Sequence, residues 1–360
     1  MEKLLEDWDG ELVVSRREPQ SGALIVIAMH STVRGPSSGG TRAMTYPSFE
    51  DAAADAMRLG TAMTYKMVMA GLPMGGGKAV ICLRRPRHEM SQGDWDRILD
   101  VHAATLETLK GAYWTGPDVN TSSEDMDRLR RTTRYAFGAS PALGGSGSSA
   151  PDTATGVFVG IKAALEACGL GGSVESRSVL IQGAGAVGHR LAEMCLDAGA
   201  IVLVSDVDDS RVADVVRLGA RAVEAGVVPF VACDVYAPCA MGGTITIEVA
   251  ERIECKVVAG AANNPLAQDA AADVLASRGI VYAPDYVING GGAIHLIGRE
   301  VLGWGDAEVT EHVAKIGETL AEVFELAHGR STATAAHDLA TQRLSIAPAD
   351  ATRACTLSSP

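Results

Sequence analysis

The sequence predicts an α/β protein of two domains, the second a doubly wound parallel sheet. Three observations carry this. At 360 residues the chain exceeds what one small core needs, so its size favours two domains. Beyond residue 150, apolar strand-like runs alternate with amphipathic helical stretches, the pattern of a parallel sheet covered on both faces. Between two well-patterned regions lies Gly144-Gly145-Ser146-Gly147-Ser148-Ser149, small and flexible enough to be a boundary. The expected domains are 1–145, joined by part of a C-terminal helical segment at 325–345, and 146–324, with a frayed tail at 345–360.

The elements follow in order. Residues 23–30 (ALIVIAMH) read as a buried strand, and Gly35-Pro36 and Gly39-Gly40 mark a loop after it. Residues 49–69 are Ala-rich with apolar positions at helical spacing, which places Lys66 near the C-terminal end of a helix. A second helix is expected over about 95–109. Residues 113–120 (YWTGPDVN) look like a strand opening into a loop, and Thr121-x-x-Glu124 reads as a capping box. In the second half, a helix over about 152–167 precedes a strand at 178–181, a helix ending at Ala198 and a strand at 201–205. Further strands are expected at 233–237, 257–259 and 280–283, and a long helix over 307–327.

Composition bounds the function. Apolar residues make up 47% and charged residues 21%, as in a globular chain. A net charge of −13 argues against nucleic acid as a partner. Seven cysteines without a Cys-x-x-Cys pair form neither a disulfide framework nor a zinc site, and no metal is expected. The start lacks a secretory pattern, and no apolar run approaches the roughly 18–20 residues of a membrane helix. A soluble cytoplasmic protein is the expectation.

Two stretches carry chemistry. In Leu72-Pro73-Met74-Gly75-Gly76-Gly77-Lys78, three glycines deliver a lysine onto an apolar run. A lysine on a tight turn against apolar structure is partly desolvated, which lowers its pKa and makes it usable as a neutral base. A surface turn ending in Lys is the competing reading. A nucleotide P-loop fails, because it needs Gly and Ser or Thr where Leu72 and Ala79 stand. The second stretch is Gly183-Ala184-Gly185-Ala186-Val187-Gly188, between an expected strand and helix, with Asp206 standing 18 residues beyond Gly188. That context is what dinucleotide binding requires: Gly183 for the turn, Gly185 for approach to the pyrophosphate, and Gly188 for helix–strand packing. Asp206 would accept the ribose hydroxyls and repel a 2′-phosphate, favouring NAD over NADP. Asp206 as a helix N-cap is the rival, with Asp208 and Asp209 close by.

Together, Gly39-Gly40-Thr41-Arg42, Lys66, the Gly75–Lys78 stretch, Gly116-Pro117-Asp118, the Gly183 turn and Gly260-Ala261-Ala262-Asn263-Asn264 resemble the Glu/Leu/Phe/Val amino-acid dehydrogenase family. Gly-Pro-Asp-Val-Asn-Thr at 116–121 and Gly-Gly-Ala-Ile-His-Leu at 291–296 look most like its actinobacterial phenylalanine dehydrogenases. The resemblance implies an N-terminal substrate and oligomerisation domain, a Rossmann-type domain binding NAD, and an active-site cleft between them. It implies that Lys66 binds the substrate carboxylate, Lys78 is the general base, and Asp118 exchanges protons at the amino group. Gly39 and Gly40 would contact substrate, and Asn263 would bridge substrate and cofactor. Arg42, Ser149, Thr153, Ala186, Val187, Ala240 and Asn289 would join the glycine turn and Asp206 around the cofactor. A salt bridge of purely structural role is the alternative for Asp118.

Met63, Asn120, Ala293 and Leu296, with Leu59 and Met67, are candidates for an apolar side-chain pocket, although their helical spacing also suits core packing. The pocket candidates include no cation for a distal carboxylate, which argues against a glutamate enzyme. The expected reaction is NAD-dependent oxidative deamination of an aromatic or bulky apolar L-amino acid, phenylalanine first, by a homo-oligomer (dimer, tetramer or octamer). Leucine/valine or tryptophan dehydrogenase is the alternative within the family. An NAD-binding sensor or assembly subunit is the alternative outside enzymes.

Overall fold

In the computed structural model, which describes residues 2–345, the chain divides into two compact units. The first takes Met1–Gly147, Leu296–Trp304 and the segment from Arg343, and the second takes Ser148–His295 and Gly305–Gln342.

The first unit begins with α1 (Glu2–Glu6), β1 (Leu12–Arg17), β2 (Leu24–Ser31), β3 (Ser37–Thr45) and α2 (Phe49–Met69). There follow β4 (Gly75–Leu83), α3 (Gln92–Thr108), β5 (Tyr113–Pro117) and α4 (Ser123–Leu129). Its sheet has the order β1-β2-β4-β3-β5, with β1 and β4 antiparallel to β2, and β3 parallel to both β4 and β5. Strand alternation sorts the two faces. Ile25, Ile27, Ala79, Ile81 and Ala43 pack with Trp95, Ile98 and Leu106 of α3. Val26, Ala28, Val80 and Cys82 pack with Ala52, Ala53, Ala56 and Met57 of α2.

Two local expectations are corrected here. Gly39-Gly40 is not in a loop but in the middle of β3, and Gly75-Gly76-Gly77 is not a turn but the start of β4, every residue of which is buried. The reason is close approach rather than turning. A Cβ on Gly76 would stand 1.9 Å from the Thr64 backbone nitrogen of α2, and one on Gly75 1.8 Å from the Ser31 carbonyl oxygen. The capping box lies one residue later than expected. Ser122 accepts from the Asp125 amide and Asp125 accepts from the Ser122 amide, because Thr121 spends its hydroxyl on the Thr41 carbonyl.

The second unit contains α5 (Ala150–Ala167), β6 (Ser178–Gln182), α6 (Ala186–Asp197), β7 (Ile201–Ser205), α7 (Asp209–Arg217) and β8 (Arg221–Ala222). β9 (Val235–Pro238), α8 (Ile247–Arg252), β10 (Val257–Val258), α9 (Ala270–Ser277), β11 (Val281–Tyr282) and α10 (Asp285–Ile288) complete its sheet region. The all-parallel order β11-β10-β9-β6-β7-β8 starts at the centre with β6 and grows outward on each side in turn. That is the doubly wound order, and its reversal point lies between β6 and β9.

α11 (Gly291–Glu300), α12 (Asp306–Ala327) and α13 (Thr332–Ser345) follow. α12 packs on α5 so closely that a Cβ on Gly160 would stand 2.8 Å from Leu320 Cδ1. Thr332 donates to the Tyr282 carbonyl, and Ala333 packs on the second unit's core. Of segment 325–345, expected in part with the first domain, the residues as far as Gln342 go with the second unit and those from Arg343 with the first. Leu296–Trp304 instead goes with the first unit, where buried Glu300 accepts from Arg130, from the Gly138 and Ser146 amides and from the Ser146 hydroxyl. The tail expected at 345–360 lies, beyond Ser345, outside the described residues. Among the described residues no helix is long and apolar enough to cross a membrane.

Candidate active site

In the first unit, Lys78 lies in β4 and Asp118 directly follows β5, and these two strands are not neighbours. β3 lies between β4 and β5, with Thr41 opposite Ala79 on one side and Gly40 opposite Gly116 on the other. Neighbouring strands are about 4.8 Å apart, so two side chains can meet across a central strand only where that strand carries nothing in between. Gly40 is that position. A Cβ there would lie 2.9 Å from Asp118 Cβ and 3.4 Å from Lys78 Nζ. Without one, Lys78 Nζ reaches Asp118 Oδ2 at 2.9 Å. Gly39 is closed in the same way: its Cβ would meet the Gly77 carbonyl oxygen at 1.9 Å and Met63 Cγ at 3.3 Å.

Strand parity puts Lys78 on the α2 face, with Val80 and Cys82, and the lysine is 5% exposed. Burial pushes its pKa below the usual 10.5, and Asp118 offsets this only in part. Burial raises the Asp118 pKa, but Lys78 and Arg42 outweigh it and hold the carboxyl below its usual range. The pair thus combines a carboxylate that stays ionised with a lysine that readily gives up its proton. The surface-turn reading of Lys78 is excluded by its burial.

Lys66 stands half-buried in the last turn of α2, one turn beyond half-buried Met63 and therefore on the same side of the helix. Met67 is fully buried, as a core residue is. Arg42, expected at the cofactor, donates through Nε to Asp118 at 3.0 Å and through Nη1 to Asp55 at 3.1 Å. Asn120, expected in the side-chain pocket, is instead exposed, has φ 59° and donates to the Ala43 carbonyl. It fills the left-handed position of the turn after β5, a conformation that asparagine tolerates better than most residues. Ala293 and Leu296 are half-buried and one turn apart on α11.

In the second unit the glycine turn follows β6 at the sheet's reversal point. Gly183 has φ 102°, open to glycine at little cost, and a Cβ there would meet Ala240 Cβ at 2.8 Å just past β9. A Cβ on Gly188 would strike the Gly183 carbonyl oxygen at 1.8 Å, so α6 packs directly on the turn. Around Gly185 there is open space, with only Arg211 Nη1 at 3.9 Å from its would-be Cβ. Ala186 and Val187 open α6, whose first amides face that cradle.

Asp206 accepts from the Ala184 and Asp208 amides at 2.7 and 2.9 Å. It does not cap α7; Asp208 does, by accepting from the Ser210 amide. Ser149 and Thr153 share the first turn of α5, their hydroxyl oxygens 3.5 and 3.0 Å from a would-be Cβ on Gly292. Asn289 Nδ2 donates to Asn263 Oδ1 at 2.8 Å, while Asn289 Oδ1 is buried without a hydrogen-bond partner among the described residues. An open glycine cradle at a helix start, a fixed carboxylate at the end of the next strand and an orphaned amide oxygen together fit a nicotinamide dinucleotide.

Sequence reasoning missed Asp55 and Tyr46. Asp55 accepts from Tyr46 Oη at 2.8 Å as well as from Arg42 and Arg58. The available signal is its spacing, since Asp55, Leu59, Met63 and Lys66 recur on one side of α2.

The chain matches the family model for the Glu/Leu/Phe/Val dehydrogenase dimerisation domain over residues 21–135. It matches the Glutamate/Leucine/Phenylalanine/Valine dehydrogenase model over 144–214 and 208–347. It is 40% identical over 324 residues to a leucine dehydrogenase of Thermoactinomyces intermedius, covering 90% of this chain and 87% of that one. Its structure resembles the crystal structure of L-tryptophan dehydrogenase from Nostoc punctiforme with a TM-score of 0.84 and 34% identity, covering 96% of this chain and 98% of the other. A phenylalanine dehydrogenase of Caldalkalibacillus thermarum is 36% identical over 342 residues, 93% of this chain and 91% of that one. The expected likeness to actinobacterial phenylalanine dehydrogenases is therefore corrected: the comparisons favour leucine and tryptophan dehydrogenases. The short motifs at 116–121 and 291–296 pointed elsewhere because a dozen residues sample the chain too thinly.

Proposed function

The chain belongs to the Glu/Leu/Phe/Val dehydrogenase family and is an amino-acid dehydrogenase using a nicotinamide dinucleotide, and from that premise we propose that it deaminates an aliphatic L-amino acid, leucine or valine, with NAD. The observation that carries the chemistry is the buried Lys78–Asp118 pair meeting over Gly40. Likeness to leucine dehydrogenases favours the aliphatic substrate. The tryptophan dehydrogenase structure favours a second reading, an aromatic substrate at the same site. The family model's description of the N-terminal region as a dimerisation domain supports a homo-oligomer.

When bound, NAD supplies the acceptor for the hydride that leaves the substrate Cα. Gly183, Gly185, Gly188, Ala186, Val187 and Ala240 would border its pyrophosphate, Asp206 its adenosine ribose, and Ser149, Thr153, Asn263 and Asn289 its other half. Lys66 grips the substrate carboxylate as an ammonium. Asp118, held ionised, takes a proton from the substrate ammonium and leaves the neutral amine. Loss of hydride leaves an iminium, and neutral Lys78 takes a proton from the water that adds to it, then releases that proton to solvent. Asp118 returns its proton to nitrogen, and Lys78, neutral again, takes the carbinolamine hydroxyl proton as ammonia leaves and the 2-oxo acid forms. Burial of Lys78 is what makes the neutral amine available near neutral pH.

The test is a kcat/KM panel across Leu, Val, Trp, Phe and Glu with NAD and with NADP. Leu or Val with NAD should be fastest, and Glu slower by at least about a hundredfold, as expected of an apolar pocket facing a charged side chain. Trp above Leu selects the second reading; Glu as the best substrate rejects both.

A further inference from the structure

Arg42 is the hub of a charge chain that runs from α2 to the reacting pair. Its Nε donates to Asp118 Oδ2, the same oxygen that Lys78 Nζ approaches at 2.9 Å. Its Nη1 donates to Asp55 Oδ2, which also accepts from Tyr46 Oη, while Asp55 Oδ1 accepts from Arg58. Arg42 and Asp55 are largely buried, with side chains 20% and 16% exposed. Using separate nitrogens for two carboxylates is a geometry open to a guanidinium and closed to an ammonium. The charged and titratable groups facing the pair are thus Arg42 from β3, Asp55 from α2 and Tyr113 from β5, with Arg58 of α2 and Tyr46 beyond β3 held on Asp55 behind them.

We propose that Arg42, clamped by Asp55, is a positioning residue that fixes the Asp118 carboxylate and sets the proton affinity of Lys78. This rests on the reading of Lys78 and Asp118 as the reacting pair. The Arg42 cation disfavours a second cation at Lys78, whereas the Asp55 anion favours it. The two residues therefore act with opposite sign on the same proton, which a merely structural pair would not do.

The test is the pH profile of kcat for oxidative deamination in R42Q, D55N and R42K. Arg42→Gln removes a positive charge, so Lys78 holds its proton more tightly and the acidic limb moves up by about one pH unit. Asp55→Asn removes a negative charge, so the limb moves down while plateau kcat falls at least about fivefold because Arg42 loses its anchor. Arg42→Lys keeps the charge but not the double grip: the limb stays in place and kcat falls at least about fivefold. Limbs that do not move, or that move in the same direction in R42Q and D55N, overturn the proposal. If R42Q and D55N fail to fold, wild-type kcat in R42K overturns it alone. Lys78→Ala separates the two levels. Near-normal turnover there sinks the functional reading, whereas an inactive K78A beside unmoved limbs sinks only the role of Arg42.

Discussion

At the scale of single residues, the site depends as much on a missing side chain as on those present. Gly40 leaves the space through which Lys78 and Asp118 meet, and a methyl there would lie 2.9 Å from both Asp118 Cβ and the Pro117 carbonyl oxygen. Gly40→Ala should therefore push the carboxylate off Lys78 without touching the dinucleotide half. A kcat lowered by about a hundredfold or more is expected, the loss usual when a proton-transferring group is displaced, with NADH affinity unchanged by fluorescence titration. Activity near wild type would mean that the two groups need not meet. Lys78 and Asp118 could be singled out in the sequence because each sits in a short run of Gly, Pro and apolar residues that leaves few other polar candidates. Asp55 and Arg42 could not be read so easily. Each looks like an ordinary surface charge until α2 is laid on the sheet, and only then do Asp55, Arg42 and Asp118 fall on one line. The left-handed backbone of Asn120, which turns its side chain onto the Ala43 carbonyl of β3, is hidden in the sequence for a related reason.

At the scale of elements, helical and parallel-strand periodicity was legible wherever burial was one-sided or complete. The expected bounds of 49–69 are those of α2, and β6 and β7 stand where their apolar runs placed them. β3 and the start of β4 were hidden because glycine lowers local strand preference, and the reason for glycine there is close approach: the α2 backbone at Gly76, and neighbouring strand backbone or the Lys78–Asp118 contact at Gly39, Gly40, Gly75 and Gly77. Such a packed layer also buries His102 of α3. Its Nε2 meets Thr41 Oγ1 at 2.8 Å, its Nδ1 has no partner among the described residues, and burial lowers its pKa from 6.5 to about 4. Between those values the unfolded chain binds the proton and the folded chain does not, so stability falls as pH drops through this window. A shift of roughly 2.5 units corresponds to about 3 kcal/mol at pH 4, at about 1.4 kcal/mol per unit. Thermal melting from pH 7 to 4 should show this slope, and His102→Gln, which cannot titrate, should flatten it. An unchanged slope in that variant would place the acid sensitivity elsewhere.

At the scale of the whole molecule, the two kinds of chemistry proposed above fall on separate units. Lys66, Lys78, Asp118 and their supports belong to the first, whereas the glycine turn, Asp206 and the Asn263–Asn289 pair belong to the second. The doubly wound unit was legible from its glycine turn and strand–helix alternation. The return of Leu296–Trp304 to the first unit was not, because it depends on Glu300 collecting four donors that are distant in sequence. If function follows this partition, substitutions in the two units should separate cleanly in two measurements. Lys78→Ala should lower kcat about a thousandfold or more while leaving NADH affinity within about twofold, since it removes a proton acceptor and no dinucleotide contact. Asp206→Ser should do the reverse. It removes the carboxylate that would accept the ribose hydroxyls and repel a 2′-phosphate, so NAD affinity should fall about tenfold and the preference for NAD over NADP should shrink at least as much. The buried Lys78–Asp118 pair is untouched by this change, so the acidic limb of the kcat profile should keep its wild-type position. An Asp206→Ser enzyme with unaltered cofactor preference would remove Asp206 from the ribose and leave it only its bonds to the Ala184 and Asp208 amides.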